Sequence, residues 1–423
     1  MREKMKGFKE LTLIEDALRK MKERMTHRIQ ELEEVDLLSA LGRVCGEDVL
    51  APIDSPPYDR SAMDGYAVIA EDTFGASITN PIELKLVGRI EAGMSSESIP
   101  KISRGQAAEI LTGAPIPTGA NAVVPVENAK REGNVIKVFQ QVHPYQNISR
   151  RGEDYRKSDI VVRRGTIIKP WHIGALASLG ISRIKVLRKP RIALISTGSE
   201  LIELEKEAEA GKIYDSTKPM LKSLLIEHGA EPLDLGIAKD QLDDILAKLR
   251  YGLEHADAVI VTGGTSVGEK DLVPEAVSEN AEIIVHGLKI RPAKPTGFAI
   301  ADGKPIFMLS GFPVAALIGF QVLVIPALEQ MLGCKFDPKP KVKGVLTRRV
   351  ASPPGIRTFV RVKAFKNEEG RVLVEPLRVT GSGVLSTLTR GNGLLIIPEE
   401  VEGFDEGDVV EVELLSSIEF NSR

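Results

Sequence analysis

Between residues 188 and 335, three apolar runs of strand character are separated by two amphipathic helical patterns. The runs are RIALIST (191–197), EPLDLG (231–236) and DAVIV (257–261). The first helical pattern is DSTKPMLKSLLIEHG (215–229), with Asp215 or Ser216 as its candidate cap. Strand–helix alternation of this kind predicts a parallel sheet that is covered by helices on both faces.

Other parts of the chain show different periodicities. Residues 298–309 predict a hairpin that turns at Asp302-Gly303, and a helix is expected from Pro313. Residues 12–25 predict an amphipathic helix that begins with a capping box of Thr12 and Glu15. The segments 50–146 and 339–414 contain short strand-like pieces separated by turn residues, and the later one is typical of a small barrel or sandwich.

A chain of 423 residues is too long for a single core, so several domains are expected. The fold class is multidomain α/β plus β, with a central α/β domain, a β-rich insertion domain, a helical and extended linker domain, and a C-terminal β-barrel-like domain. The predicted boundaries are 1–50 with 147–187 for the linker domain, 51–146 for the β-rich domain, 188–335 for the α/β domain and 336–423 for the barrel.

Composition excludes several classes of function. The net charge of -3 and an aromatic content of 4% argue against a nucleic-acid surface. We expect no membrane span, because the apolar runs are shorter than the ~20 residues that a span needs. With two cysteines and no histidine pair at ligand spacing, any metal is expected on oxygen ligands, and a reducing cytoplasm is the expected setting.

Three polar loops follow the predicted strands of the α/β domain. They are STGSEL (196–201), GIAKD (236–240) and TGGTSVGEKD (262–271). Ligands of parallel sheets bind beyond the carboxyl ends of the strands. Backbone amides at Gly263 and Gly264 and hydroxyls at Thr265 and Ser266 would suit a phosphate or similar anion. The alternative is a glycine-rich turn that only reverses the chain.

Each of these loops also carries a carboxylate, namely Glu200, Asp240 and Asp271. Two carboxylates about 4 Å apart would repel by about 4 kcal/mol at an effective dielectric constant near 20, so a cation between them would be favoured. Mg²⁺ suits oxygen ligands and phosphates. Alternatively, each acid is a solvated loop residue or a helix cap.

Polar side chains are also concentrated in one further segment and in a later cationic group. SPPYDRSAMDGYAV (55–68) contains Asp64-Gly65, which the pattern leaves open between a turn and a site. A cationic group follows later in RPAKPTG (291–297) and GIRTFVR (355–361), with LSGFPVAA (309–316) between them at the start of a helix. Lysine or arginine beside an anion-binding loop suits a phosphate or oxyanion. The residues of interest are Arg291, Lys294, Arg357 and Arg361.

Taken together and in this order, these motifs resemble the molybdopterin molybdenumtransferase family, which includes MoeA and the corresponding domain of gephyrin. The matching motifs extend along nearly the whole chain: SAMDGYAV, ILTGAPIPTGANAVVPVE, RRGEDYRKSD, STGSEL, IYDSTKPML, GGTSVGEKD, RPAKPTGFA and SGFPVAA. The resemblance implies a homodimer whose central domain binds molybdopterin. It implies insertion of molybdate or tungstate into adenylylated molybdopterin with release of AMP, and a molybdopterin adenylyltransferase as a further partner.

The resemblance also implies roles for individual residues. Glu200, Asp240 and Asp271 would hold Mg²⁺ and act in catalysis together with Asp64 and Thr112. The remaining positions would bind substrate: Gly263, Gly264, Thr265, Ser266, Lys294, Pro295, Ser310, Gly311, Arg357 and Ser386.

The sequence departs from the family pattern at three positions. The family usually has an acid at Ser199, a glycine at Ala293 and an asparagine at Phe312. These departures bear on how the substrate is recognised. We keep two alternative functions: a molybdopterin adenylyltransferase, which would share the fold of the α/β domain, and a non-catalytic molybdopterin-binding or scaffold protein. The abundance of Lys, Arg and Glu beside few cysteines is typical of a thermophile, and an archaeal source is expected.

Overall fold

The computed structural model describes residues 11–207, 210–264, 272–378 and 381–420. The described chain divides into two compact units. The larger unit comprises residues 11–33, 42–44 and 187–420, and the smaller one comprises residues 34–41 and 45–186.

A six-stranded sheet forms the centre of the smaller unit. Every residue of its strand Gly65–Val68 is buried, because apolar clusters cover both faces of the sheet. A Cβ atom on Gly65 would lie 2.0 Å from the carbonyl oxygen of Val124 on the paired strand, so the glycine of Asp64-Gly65 is required by strand pairing. In spatial order the strands are Ala122–Pro125, Gly65–Val68, Gln106–Ile110, Ile82–Ile90, Val135–Val138 and Ala129–Glu132.

Short elements complete this unit. An α-helix spans Pro170–Ser178. Single-turn helices lie at Ala70–Thr73, Ser96–Ser98 and Val126–Asn128, and two-stranded pairs are formed by Val49–Leu50 with Ile160–Val162 and by Arg60–Ser61 with Ile148–Ser149. The chain changes units within the strands Leu32–Asp36 and Arg183–Leu187.

The larger unit contains the predicted α/β sheet. Its strands are β1 (Arg191–Thr197), β2 (Glu231–Ala238), β3 (Ala258–Thr262), β4 (Glu282–His286), β5 (Gly297–Ala301) and β6 (Lys304–Leu309). The spatial order is β2-β1-β3-β6-β5-β4. Strands β2, β1, β3 and β6 are parallel, as predicted, whereas β5 is antiparallel to both of its neighbours. The hairpin at Asp302-Gly303, with φ of 47° and 79°, explains this exception.

Helices cover this sheet on both faces. They are α1 (Thr217–Glu227), α2 (Leu242–His255), α3 (Leu272–Ser278), α4 (Pro313–Gly319) and α5 (Ile325–Leu332), with a π-helical turn at Phe320–Val324. The crossover from β1 to β2 and the crossover from β2 to β3 run in opposite directions. Right-handed crossovers therefore place α1 and α2 on opposite faces. The strand order reverses between β1 and β3, which opens a crevice at their carboxyl ends.

The predicted caps of two helices can be compared with the caps in the structure. The Asp215 carboxylate accepts the backbone N–H groups of Thr217 (3.2 Å) and Lys218 (3.0 Å), so Asp215 rather than Ser216 caps α1. The predicted capping box of Thr12 and Glu15 is wrong. The first helix is Ile14–Arg24 with Leu13 at the N-cap, so Thr12 precedes the cap position.

The helical stretch 313–332 corrects the expectation about apolar runs. By length and composition it is able to cross a membrane, yet most of its surface is buried inside the protein. Residues such as Ile318, Phe320 and Leu328 are fully buried. The stretch is therefore the central core helix of this unit.

A closed barrel of five strands forms the C-terminal part. The strands are β7 (Lys341–Leu346), β8 (Arg357–Lys366), β9 (Val372–Arg378), β10 (Gly393–Ile397) and β11 (Val409–Leu414). They pair in the ring β8-β9-β7-β11-β10, which closes back on β8 and so selects a barrel over a sandwich. Short flanking elements are Ile290–Arg291, Val350–Ala351, Ser386–Thr389, Gly403–Phe404 and Glu419–Phe420, and the pair Leu201–Ile202 with Ile213–Tyr214 lies beyond β1.

Candidate functional site

A cleft of about 1250 Å³ lies at the carboxyl ends of β1 and β3 in the larger unit. Loops after β1, β2, β3 and β6 form its walls together with residues of the barrel. The structure brings together these predicted site residues: Glu200, Asp240, Gly263, Gly264, Lys294, Pro295, Ser310 and Gly311. Thr265, Ser266 and Asp271 lie outside the described residues.

The glycines after β3 are required by the packing of the protein itself. Gly263 and Gly264 have φ of 85° and 56°. A Cβ on Gly263 would lie 2.2 Å from the carbonyl oxygen of Thr197, and one on Gly264 would lie 2.9 Å from the side chain of Val273. The Gly263 amide donates to the carbonyl of Leu309 (3.2 Å). That amide is consequently engaged in the sheet and is not free to bind an anion, in contrast to the prediction.

The loops that carry Glu200 and Asp240 are joined directly. Asp240 Oδ2 accepts the backbone N–H of Ser199 at 2.8 Å. Gly198 has a φ of 149°, and a Cβ there would lie 2.8 Å from both carboxylate oxygens of Glu200. The two acids therefore come from different loops and line one cleft.

Carboxylate oxygens suit a hard cation such as Mg²⁺, which also takes phosphate oxygens and water as ligands. Across residues 11–207, 210–264, 272–378 and 381–420, no group of three or more Asp, Glu, His or Cys side chains is placed to hold a metal. The described part of the predicted metal site is thus a pair, Glu200 and Asp240. Its donor chemistry fits Mg²⁺ if the substrate supplies the further oxygens.

A buried polar cluster lies behind the cleft. Asp215 is buried and accepts a hydrogen bond from Ser196 Oγ at 2.5 Å. Thr217 Oγ1 donates to the carbonyl of Gly311 (2.7 Å), which links α1 to the loop after β6. Sequence reasoning treated Asp215 only as a cap and missed it as a residue that lines the cleft. The available signal was a carboxylate at a helix start beside the carboxyl end of a strand.

The predicted cationic residues form two sets, those that line the cleft and those that do not. Arg291, Lys294 and Arg361 line the cleft. Within the described chain, Arg357 and Ser386 are not among the residues that line it. The Arg357 guanidinium is held by Glu15 (2.7 Å) and Glu399 (2.9 Å). This double ion pair indicates a structural role for Arg357. Arg361, which is almost fully buried and donates from Nε to Thr387 Oγ1 (3.3 Å), lines the cleft together with Arg291.

All three departures from the family pattern lie in the cleft. Ser199, Ala293 and Phe312 are lining residues. Ala293 has a φ of 81°, a region that favours glycine, so its backbone is strained. The Phe312 side chain is 60% exposed although its backbone N–H is held by Ser310 Oγ at 3.2 Å. An apolar ring is thus presented to whatever binds here.

Asp64 and Thr112 form a second polar site in the smaller unit. Asp64 Oδ1 accepts both the hydroxyl and the backbone N–H of Thr112 at 2.7 Å. These two hydrogen bonds, the one from the Thr112 side chain first, lower the pKa of Asp64 below its usual value. Both residues are exposed, so an ionised carboxylate is presented to solvent.

Two other polar residues of SPPYDRSAMDGYAV, Asp59 and Ser61, have structural partners. Asp59 accepts the backbone N–H of Arg151 (2.8 Å), and Ser61 Oγ donates to the carbonyl of Met63 (2.5 Å). The segment therefore combines the two readings that the sequence left open. It is a tight turn that presents a single exposed carboxylate, Asp64.

Comparison with known proteins identifies three matching regions along the chain. Residues 12–180 match the MoeA N-terminal region (domain I and II), residues 193–330 match a "Probable molybdopterin binding domain", and residues 343–415 match the MoeA C-terminal region (domain IV).

Whole-chain relatives agree. The chain is 42% identical to a Methanocaldococcus jannaschii protein named for molybdopterin biosynthesis, with 97% of this chain and 100% of the relative covered. It is 35% identical to the molybdopterin molybdenumtransferase of Staphylococcus epidermidis, with 92% of each covered. The crystal structure of the molybdopterin biosynthesis MoeA protein of Pyrococcus horikoshii superposes with a TM-score of 0.83 at 35% identity, covering 96% of this chain and 100% of that one. This chain therefore belongs to the MoeA family of molybdopterin molybdenumtransferases.

Proposed function

We propose that this protein inserts molybdate, or tungstate, into adenylylated molybdopterin and releases AMP. The observation that carries the proposal is the pairing of Glu200 and Asp240 in one cleft with the basic residues Lys294 and Arg361. A substrate with a pyrophosphate bond and an oxyanion needs both a cation site and fixed cationic donors. Membership of the MoeA family supports molybdopterin as the molecule that carries the pyrophosphate and receives the oxyanion.

Within this proposal, Glu200 and Asp240 hold Mg²⁺, and Asp271 completes the set. When bound, Mg²⁺ would neutralise the pyrophosphate and polarise the bond that is cut. Asp240 also fixes the loop that bears Glu200, since it accepts the N–H of Ser199. Lys294, Arg291 and Arg361 contribute positive charge to the same cleft.

Other site residues bind substrate or act in the reaction. Gly264, Pro295, Ser310 and Gly311 line the cleft and would shape the phosphate subsite, extended by Thr265 and Ser266. Asp64 enters the reaction as an ionised carboxylate that Thr112 orients. We further infer that the protein works in the cytoplasm as a homodimer and receives its substrate from an adenylyltransferase. Sedimentation velocity that gave the mass of a single chain would refute the dimer.

The test of function is direct. Purified protein incubated with adenylylated molybdopterin, Mg²⁺ and molybdate is expected to release AMP, and tungstate is expected to replace molybdate. Formation of adenylylated molybdopterin from ATP and molybdopterin would instead identify an adenylyltransferase. Tight binding of the pterin without AMP release would identify a binding or scaffold protein.

Arg361 gives a prediction about the oxyanion. Arg361→Lys is expected to raise the molybdate concentration for half-maximal activity by about tenfold, because one charge-assisted hydrogen bond is worth about 1.5–3 kcal/mol and lysine lacks the planar fork of arginine. Steady-state kinetics with varied molybdate measure the effect.

Arg357→Lys is the matched control. Arg357 lies on the same strand but is held by Glu15 and Glu399. Its replacement is expected to leave the molybdate dependence unchanged. If the molybdate concentration for half-maximal activity rose in Arg357→Lys and not in Arg361→Lys, Arg357 would be the residue that binds the oxyanion.

A further inference from the structure

A buried lysine lies beside the loop that carries Glu200. Lys218 is in the first turn of α1 and only 4% exposed. A cation is unfavourable at the N-terminus of a helix because it opposes the helix dipole, and burial removes its hydration. A buried lysine in this place therefore requires compensation from nearby groups.

Two carboxylates provide that compensation. Lys218 Nζ lies 3.0 Å from Glu203 Oε1 and 3.2 Å from Asp234 Oδ1 on β2. Burial alone would lower the pKa of Lys218, but these two partners hold it above its ordinary value. The ammonium thus joins three elements: α1, strand β2 and the loop after β1.

The position of Glu203 gives this ion pair its significance. Glu203 follows the cleft residue Glu200 by three positions in the same loop, residues 198–204. Before Glu200 the loop is anchored at Ser199, whose N–H donates to Asp240 Oδ2 (2.8 Å) and whose carbonyl accepts from Lys212 Nζ (2.6 Å). From Glu200 onward the other anchors are backbone hydrogen bonds, from Ile213 N to the carbonyl of Glu200 (2.8 Å) and from Asp215 N to the carbonyl of Ile202 (3.1 Å). Lys218 supplies the charged side-chain anchor on the side of the loop that follows Glu200.

We infer that Lys218 is a positioning residue for Glu200, acting through Glu203 to fix the loop 198–204 at the edge of the cleft. This inference rests on the proposed function for its catalytic consequence, but its structural part concerns the free protein. Lys218 touches neither substrate nor metal in this account. It acts by holding the loop.

The experiment compares Lys218→Met with Lys222→Met in the full-length protein. Lys222 lies one turn further along α1 and also binds Asp234, at 3.1 Å. It is the matched control, since its ion pair does not involve the loop 198–204. Amide hydrogen exchange of residues 199–206 is measured by mass spectrometry in the absence of substrate. Exchange there is expected to rise about tenfold in Lys218→Met and to stay at the wild-type rate in Lys222→Met.

Kinetics of AMP release supply the functional readout. Lys218→Met is expected to lower kcat by between about 10-fold and 10²-fold, because a displaced catalytic group loses its alignment. KM for adenylylated molybdopterin should change little, the Mg²⁺ concentration for half-maximal rate should rise, and Lys218→Arg should restore most of kcat.

Glu203→Gln is the second variant, and it leaves Lys218 paired with Asp234. Glu203→Gln should raise amide exchange of residues 199–206 and lower kcat, in each case by less than Lys218→Met does. If exchange and kinetics of both variants match wild type, the inference is overturned. If wild type itself releases no AMP, the proposed function fails, while the exchange comparison still decides whether Lys218 holds the loop.

Discussion

Glu200→Gln is expected to slow AMP release by about 10²-fold or more. The substitution keeps the size of the side chain and removes its charge, so the cation would lose one of its two described carboxylate ligands. Affinity for adenylylated molybdopterin should fall less, because the basic residues and the backbone of the cleft remain. Single-turnover kinetics and calorimetry of ligand binding separate the two effects.

Glu205→Gln controls for a change of charge close to Glu200, since Glu205 directly follows the loop 198–204. Glu205 is exposed and is not one of the described residues that line the cleft. Its variant should keep the wild-type rate and the wild-type Mg²⁺ dependence. A Glu200→Gln enzyme with normal turnover would show that no essential cation binds at this carboxylate.

Asp257→Ala is expected to destabilise the larger unit by about 3 kcal/mol, since it removes the buried carboxylate that binds Arg188, His27 and the backbone of Arg191 and leaves Arg188 with only the exposed Glu31 as its carboxylate partner. The Asp257 side chain is 6% exposed. It accepts hydrogen bonds from both terminal nitrogens of Arg188 (2.7 and 2.8 Å), from the backbone N–H of Arg191 (2.7 Å) and from the ring of His27 (2.8 Å). Urea unfolding at neutral pH measures the loss.

The same carboxylate predicts how stability depends on pH. Hydrogen bonds from Arg188 and His27 outweigh burial and hold the pKa of Asp257 far below its ordinary value. Its contribution to stability is therefore present above the unfolded-state pKa of about 3.9 and is lost as the pH falls towards the folded-state value. Wild type should lose stability on acidification below about pH 4, and Asp257→Asn should lose less.

Asp16→Asn is the control for this prediction. Asp16 forms an exposed pair with Arg19 at 2.7 Å, and exposed pairs contribute little. Equal losses of stability in the Asp16 and Asp257 variants would contradict the role of the buried network.

Several features followed from local pattern alone. The alternation of apolar runs and amphipathic segments predicted β1, β2 and β3, the helices between them and the hairpin at Asp302-Gly303. Other elements were missed: helix α3 is only seven residues long, and β4 carries the ambiguous sequence EIIVH (282–286). Short elements give too few periods for a pattern to be distinguished from chance.

The choice between Arg357 and Arg361 shows where local pattern stops. Both lie on β8 and are four residues apart, so the two-residue period of a strand places them on the same side. Their surroundings differ because Glu15 and Glu399, remote in sequence, form ion pairs with Arg357, and because the pairing of β8 with β9 shifts register between Arg361 and Val362. A sequence pattern contains neither fact.

The sequence by itself determined the strand–helix alternation, the barrel strands, the family and the placement of acidic and glycine-rich loops after parallel strands. These properties are set by residues that are close in sequence, so the periodicity of apolar positions and the turn residues reveal them. Only the tertiary structure decided that Glu200 and Asp240 line one cleft, that the Gly263 amide is engaged in the sheet, that Arg361 and not Arg357 lines the cleft, and that Lys218 joins the Glu200 loop to β2. Each of these depends on contacts between segments far apart in the chain, which are fixed only when the strands pair and the barrel closes.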